Sequence, residues 1–385
     1  MPKEIYLDNN ATTPVAPEVV EAMLPFLREQ YGNPSSAHHK GIEAARALRG
    51  ARATLAETLG VSENDIVFTA SGSEGDNLAI RGVARALKRI GNHIITTKVE
   101  HPAVLQTCRD LEADGYTVTY LDVDHQGKLD IDSAVGAITD QTILVSIMHV
   151  NNEIGTVYPI EDIARRIKAV NSRIVFHSDG VQSIGKLRLN LSEIDLYSIS
   201  GHKFHAPKGI GALVVRQGVG LKPIITGGGQ EHGLRPGTEN VPWIVGLAKA
   251  MELAYADFEK RQDHFKTLKA RFVAGLQQIP GTRINSPQDG LPTTVSVAFG
   301  GAPAEILLNA LNDQGICVSA GSACSARNPH GRRSHVLQAI GLEPRLIDST
   351  LRFSFSRYTT PEEIDEALRV LKDVVPMVQA VARRA

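Results

Sequence analysis

"TILVSIMHVNNEIGTVYPIEDIARRIKAVNSRIVFH", residues 142–177, decides how the whole chain is read. Its opening run, 142–150, is apolar almost throughout, as expected of a strand buried on both faces. In "PIEDIARRIKAV" (159–170), Ile160, Ile163, Ala164 and Ile167 recur at helical spacing and form one apolar face. Pro159 suits the first helical position, and Glu161 and Asp162 suit the positive end of the helix dipole. "RIVFH" (173–177) is a second buried strand. Strand, helix, strand in this order predicts a largely parallel sheet with helices on both faces.

The same alternation extends outward from 65 to 215. "DIVFTA" (65–70) precedes a helix from about Gly72, and "HIITT" (93–97) precedes another from about Pro102. "IDLYSIS" (194–200) and "IGALVV" (210–215) read as further strands. Beyond Pro242 the pattern changes. Residues 243–279 suit one very long helix or two joined end to end. Then come a strand at "TTVSVAF" (293–299), a helix from about Ala302, a strand at "LRFSFS" (351–356) and a last helix over roughly 361–382. This portion predicts a smaller α+β domain.

The totals restrict the function classes. The chain has 385 residues with 41 Lys plus Arg against 42 Asp plus Glu, a net charge of −1. Such a balance favours neither nucleic acid nor an anionic membrane surface. The three cysteines, Cys108, Cys317 and Cys324, form no CxxC pair, which argues against a disulfide framework or a thiolate metal site. The first residues lack a basic-then-apolar leader, and no uncharged apolar run reaches the ~18 residues of a membrane span. A cytoplasmic, reducing setting is the expectation.

In open α/β sheets ligands bind beyond the carboxyl ends of the strands. Five strand ends here deliver polar groups: "SGSEGDN" (71–77), His101, Asn152, Asp179 with Gln182, and His202 with Lys203. Singly each has a plain structural reading, as a helix cap, a core histidine or a surface lysine. As a set they supply a lysine amine, an acid and an anion site at a helix N-terminus. Pyridoxal phosphate needs those parts: a lysine for its aldehyde, an acid beside its pyridine nitrogen and a phosphate cradle. "GVQSIGKL" (180–187) imitates the start of a P-loop, but Leu187 stands where a magnesium-binding Ser or Thr is required.

Nine ordered motifs then resemble the cysteine desulfurases, the NifS/IscS-like members of the class V aminotransferase superfamily of fold type I pyridoxal phosphate enzymes. They are "YLDNNATTP" (6–14), "GNPSS" (32–36), "VEHPAV" (99–104), "MHVNNEIGT" (148–156), "HSDGVQSIGK" (177–186), "SGHKFHAPKGIGAL" (200–213), "GGGQEHGLRPGTENV" (227–241), "GSACS" (321–325) and "RFSFSRYTT" (352–360). The resemblance implies an α/β fold. Residues 15–250 would form a large pyridoxal phosphate-binding domain with a mainly parallel seven-stranded sheet flanked by helices. Residues 1–14 and 251–385 would form a smaller α+β domain carrying a catalytic cysteine loop. It implies Lys203 as the lysine bonded to the cofactor, Asp179 at the pyridine nitrogen, and Gln182 and Asn152 near the ring oxygen. His101 would stack on the ring and handle protons. Gly72, Ser73, Ser200 and His202 would surround the phosphate, with Thr238 reaching it from a second subunit of a homodimer. Asn33 and Arg352 would hold the carboxylate of the substrate, L-cysteine. The products would be L-alanine and a persulfide on Cys324.

Cys324 lies in "SAGSACSARNPHGRRSH" (319–335), among small and basic residues rather than the apolar neighbours of a packing cysteine. Arg327, His330, Arg332 and Arg333 favour its thiolate. The resemblance implies an iron–sulfur scaffold protein or another sulfur acceptor as partner. It implies no resident metal, with Cys324 at most a transient ligand of a nascent iron–sulfur cluster. Ser73 replaces the usual Thr, Gly75 an often-present Ser, and "RNPHGRR" lengthens the segment after Cys324. A selenocysteine lyase or an aminotransferase on the same scaffold is the enzymatic alternative. A non-catalytic dimeric scaffold is the alternative of another class.

Overall fold

The computed structural model describes residues 4–320 and 333–382. After the two-residue strand β1 (Ile5–Tyr6), helices α1 (Pro17–Arg28) and α2 (His39–Leu59) lead into the main sheet. Its strands are β2 (Ile66–Thr69), β3 (His93–Thr97), β4 (Thr117–Leu121), β5 (Thr142–Ser146), β6 (Val175–Asp179), β7 (Leu196–Ser200) and β8 (Gly211–Val215). They lie side by side as β2-β8-β7-β6-β5-β3-β4. All the pairs from β7 through β4 are parallel, and β8 runs antiparallel to both β2 and β7. Helices α3 (Gly72–Leu87), α4 (Pro102–Ala113), α5 (Ile131–Gly136) and α6 (Ile160–Val170) make the crossovers.

Every residue of β3, β5, β6 and β7 is buried, which is why these strands read as unbroken apolar runs rather than alternating ones. The apolar face of α6 is as expected, with Ile160, Ile163, Ala164 and Ile167 all buried. Pro159 is the residue before the helix rather than its first member. It has no N–H to leave unpaired there. The extended chain after β5 continues beside β6 as far as His149, through Ile147 N–His177 O (3.0 Å) and His149 N–Asp179 O (2.9 Å). α3 packs tightly on the sheet because Gly75 faces Ser198, where a β-carbon would sit 3.2 Å from the hydroxyl oxygen.

Residues 243–279 form two helices, α7 (Val241–Tyr255) and α8 (Phe258–Leu276). Asp257 between them takes a left-handed backbone, φ 50°, which breaks the helix. α7 packs on α1 and α2 and its Ile244, Leu247 and Met251 join the core of the main sheet. A second apolar core gathers Phe272 of α8 with Val297, Phe299, Phe353 and Phe355. It is built on the antiparallel strands β9 (Thr282–Ile284), β10 (Thr294–Phe299), β12 (Ser319–Ala320) and β13 (Thr350–Ser354), in the order β12-β13-β10-β9. Helices α9 (Ala304–Asp313) and α12 (Pro361–Ala382) cover it, while α10 (His335–Ala339) and α11 (Pro344–Ile347) follow the cysteine segment. β11 (Ile316–Cys317) pairs parallel with β1, so Ile5 and Leu7 belong to this second core. From there residues 8–14 cross to the ends of the main strands.

Candidate active site

The carboxyl ends of β3, β6 and β7 and the first turn of α3 converge. Asp179 closes β6, and its Oδ1 accepts the Val181 N–H at 2.9 Å. Oδ2 has no hydrogen-bond partner among the described residues. His101 caps α4 by accepting the Ala103 N–H on Nδ1 at 3.1 Å, which leaves Nε2 for the site. Asp76 of α3, His101 and Asp179 each place one side-chain atom within 4.8 Å of the others. Burial raises the Asp179 carboxyl, while His101 and then Lys203 oppose the rise. Burial also lowers His101; the Asp179 charge opposes this, and Lys203 and His335 add to it.

Asp76 was not foreseen. It is fully buried, and burial first and Asp179 second hold it well above the usual carboxylate range. Its Oδ1 has no hydrogen-bond partner among the described residues and lies 3.6 Å from His177 Nε2. His177 bonds Ser198 Oγ at 3.0 Å and Ser146 Oγ at 2.8 Å, and burial pushes it down to about 3. Two carboxyl groups this close do not both ionise. The charge belongs on Asp179, which faces the cationic side, while Asp76 sits among neutral hydroxyls and a neutral imidazole.

Lys203 follows β7 in a single turn of 3₁₀ helix, Gly201–Lys203. Its Nζ donates to the main-chain oxygens of Asn10 (2.7 Å) and Ala11 (2.8 Å). The strap over it is pinned by Thr13 N and Thr13 Oγ1, both donating to His202 O, and by Thr12 Oγ1 against His202 Nδ1 at 3.1 Å. Gln182 Nε2 donates to the same Asn10 oxygen at 3.0 Å. Buried Lys186 donates to Gln182 Oε1 at 2.8 Å and to Asn10 Oδ1 at 3.4 Å. Asn10 in turn donates to Thr294 Oγ1 (2.8 Å) and Asn152 O (3.2 Å).

On the α3 side, Ser71 caps the helix by accepting the Glu74 N–H at 3.1 Å. A β-carbon on Gly72 would lie 2.5 Å from Val181 Cγ2 and 3.2 Å from Ser200 Cβ, so only glycine lets this turn meet the end of β7. Ser73 is exposed at the helix start, beside free N–H groups suited to an anion. Burial, reinforced by Lys203 and Lys208, pushes His202 down to about 4. Arg352 of β13 is buried; it donates to Asp8 Oδ1 at 2.8 Å and Asn152 O at 3.0 Å. Its Nε is buried and has no hydrogen-bond partner among the described residues.

Thus His101, Asn152, Asp179, Gln182, Ser200, His202, Lys203 and Arg352 lie about one centre with Gly72 and Ser73. Two other candidates form no hydrogen bond with these residues. Asn33 is exposed and its Oδ1 accepts the Ser35 N–H at 2.9 Å. Thr238 is exposed in the stretch leading to α7. Cys324 and its basic neighbours Arg327, His330 and Arg332 lie outside the described residues. Asp8, Asn10, Asp76 and Lys186 are the site residues that motif reading passed over. Each stands inside a motif quoted above: Asp8 and Asn10 in "YLDNNATTP", Asp76 in "SGSEGDN", Lys186 in the incomplete P-loop.

With this geometry in view, the comparisons are specific. The family model described as "Aminotransferase class-V" matches residues 5–367. A protein named cysteine desulfurase from Trichormus azollae is 49% identical over 384 residues, covering 98% of this chain and 94% of its own. Another, named cysteine desulfurase IscS, from Methanosarcina thermophila, is 47% identical over 376 residues, covering 97% of this chain and 92% of its own. A solved structure described as a NifS-like protein superposes with a TM-score of 0.92 at 41% identity, over 97% of this chain and all of that one (100%). One described as SspA in complex with cysteine gives 0.80 at 39% identity, over 93% of this chain and 100% of that one.

Proposed function

The chain belongs to the class-V aminotransferases and is a cysteine desulfurase of the NifS/IscS-like group, and on that premise we propose how its own residues carry the reaction. The family is pyridoxal phosphate-dependent, and when bound this cofactor supplies an electron sink for the negative charge left on the substrate α-carbon. The residues present fit it. Lys203 offers the amine, Asp179 an anionic oxygen with no hydrogen-bond partner among the described residues, and the α3 turn at Gly72 and Ser73 an anion cradle floored by Ser200 and His202.

Lys203 would hold the cofactor through its amine and, as a free amine, would take the α-proton of cysteine. Asp179 would keep the pyridine nitrogen protonated, and Asp76, carrying its own proton, would leave the negative charge of the pair on Asp179. His101 would lie against the ring and move protons through Nε2. Gln182 and Asn152 would hold the ring oxygen. Arg352 and Asn33 would hold the substrate carboxylate, and Thr238 would complete the phosphate cradle of a second copy of the chain. The Cys324 thiolate attacks the sulfur of bound cysteine: the S–S bond forms, the C–S bond breaks, and the carbon keeps the pair and gains a proton. L-Alanine leaves and Cys324 holds a persulfide, with no external oxidant. The structure with cysteine supports the substrate, and the IscS names support delivery to an iron–sulfur scaffold or a similar acceptor. Two domains, close to the expected 15–250 and 1–14 with 251–385, would organise this site between them, with the boundary drawn after α7 at Tyr255 because Met251 and Ala254 pack in the core of the main sheet. Cys108 and Cys317 are free thiols, which suits a reducing cytoplasm. No helix among the described residues is long and apolar enough to cross a membrane.

The observation that carries the proposal is Lys203 placed near enough to His101 and Asp179 to bias the protonation of both. Borohydride reduction of the pyridoxal-loaded protein should fix the cofactor on the peptide containing Lys203. Recovery on another lysine would refute the assignment.

A further inference from the structure

Lys186 is a buried cation that the sulfur-transfer chemistry leaves unused. A buried charge with no ionic partner is costly to retain even when it is hydrogen-bonded. It follows Gln182 by one turn, and its Nζ lies 2.8 Å from Gln182 Oε1. An ammonium group only donates, so this contact fixes which end of the carboxamide is which. Oε1 faces Lys186; Nε2 therefore faces the strap, where one hydrogen goes to Asn10 O and the second has no partner among the described residues. The same Asn10 oxygen takes the Lys203 amine, and Asn10 Oδ1 takes Lys186. One asparagine thus brings the two lysines and the glutamine together.

The charges around Lys186 are of one sign. Lys203 and Arg352 both repel it, and Arg352 has its own carboxylate in Asp8. Lys186 borders a small cleft lined by Lys203, His205, Arg261 and Arg357 among others, and no carboxylate lines it among the described residues. His205 donates its Nδ1 proton to Pro14 O or shares it there, and burial keeps the ring neutral. Burial first, then Lys203 and Arg352, push Lys186 down to about 7. Repulsion between two amines is mutual, so a charge on Lys186 favours the uncharged state of the nitrogen on Lys203.

We infer that Lys186 is a positioning residue that orients the Gln182 carboxamide toward the cofactor's ring oxygen and uses its charge to keep the Lys203 nitrogen unprotonated. This rests on the reading of Lys203 as the cofactor-bearing lysine. The test uses the full-length pyridoxal-loaded wild type, Lys186→Met and Lys186→Gln, with three readouts: the pH midpoint of the visible absorption, the affinity for added pyridoxal phosphate, and Tm. Both variants lose a charge that Lys186 carries only in part at neutral pH, so both midpoints should rise by a few tenths of a pH unit. Lys186→Gln keeps a donor for Gln182 and should hold the cofactor within about threefold of wild type; Lys186→Met should weaken it about tenfold. Tm should stay the same or rise, since a methionine of similar shape replaces a buried charge. Unshifted midpoints would overturn the inference, as would affinity losses that simply follow Tm, or failure of both variants to fold. A wild type with no visible band attributable to Lys203 would instead defeat the reading on which it rests.

Discussion

Arg352 shows what one residue must do here. Its guanidinium is buried and holds the Asn152 carbonyl with Nη1 and Asp8 with Nη2. Each of these nitrogens keeps a second N–H, so the planar group can donate to the substrate carboxylate without releasing either protein contact. Lysine has a single donor group and no fork. Arg352→Lys should therefore raise KM for cysteine at least about tenfold while reducing kcat far less. Steady-state alanine release measures both; an unchanged KM would remove Arg352 from the substrate site. At this scale the sequence exposes residues whose type betrays them. Lys203, Asp179 and His101 are polar groups directly after apolar strands, and that position is legible without a structure. Asn10 is not: its contact with Lys203 spans 193 residues. Asp76 hides in a helix-capping motif, and Lys186 in a turn that imitates a phosphate loop. Their roles arise from partners that no local window contains.

Among the elements, α10 is tied to the main sheet through one carboxyl. Glu153, in the turn after β5, accepts the hydroxyl proton of Ser334, the N-cap of α10, at 2.5 Å. Burial pushes Glu153 up to about 7; Ser334 and Arg352 oppose this. Its folded pKa exceeds its unfolded one, so the folded state binds the extra proton. The resulting stability is complete below about pH 4.5 and is lost as pH rises through about 7. Glu153→Gln has no such proton. Its stability relative to wild type should improve between pH 5 and pH 8 by on the order of 2 kcal/mol. Urea unfolding of the apo-proteins at the two pH values reads this directly, and a difference that does not change with pH contradicts it. Element types were legible because burial on both faces gives continuous apolar strands and burial on one face gives α6 its periodicity. A pair of helices over 243–279 was one of the two expectations, but the place of the break was not legible, because a left-handed backbone at Asp257 cannot be told in advance from the other polar residues of that stretch. The reversed direction of β8 was also hidden, since an apolar strand reads the same either way.

For the whole molecule, the strap from β1 to Thr13 belongs to the second core at one end and covers Lys203 at the other. Motion between the two cores would therefore be felt at the lysine. Thr238 is exposed in the single chain, which fits a site completed across a homodimer. If Lys203→Ala and Thr238→Val are each inactive, mixing them through a dissociation and reassociation step should restore activity in hybrid dimers. One hybrid site then carries both defects and the other none. Hybrids that form and stay inactive would contradict shared sites. The central claim is that the chain moves sulfur from cysteine onto its own Cys324, and it is tested most directly by mass spectrometry of the protein after cysteine is added. Wild type should gain one sulfur on the Cys324 peptide, removable by reductant, and release alanine. Cys324→Ser should keep its visible spectrum and its spectral response to cysteine but release almost no alanine, since a hydroxyl is a poor nucleophile toward sulfur. Wild-type turnover by Cys324→Ser, or a persulfide found on Cys108 or Cys317 instead, would contradict the account.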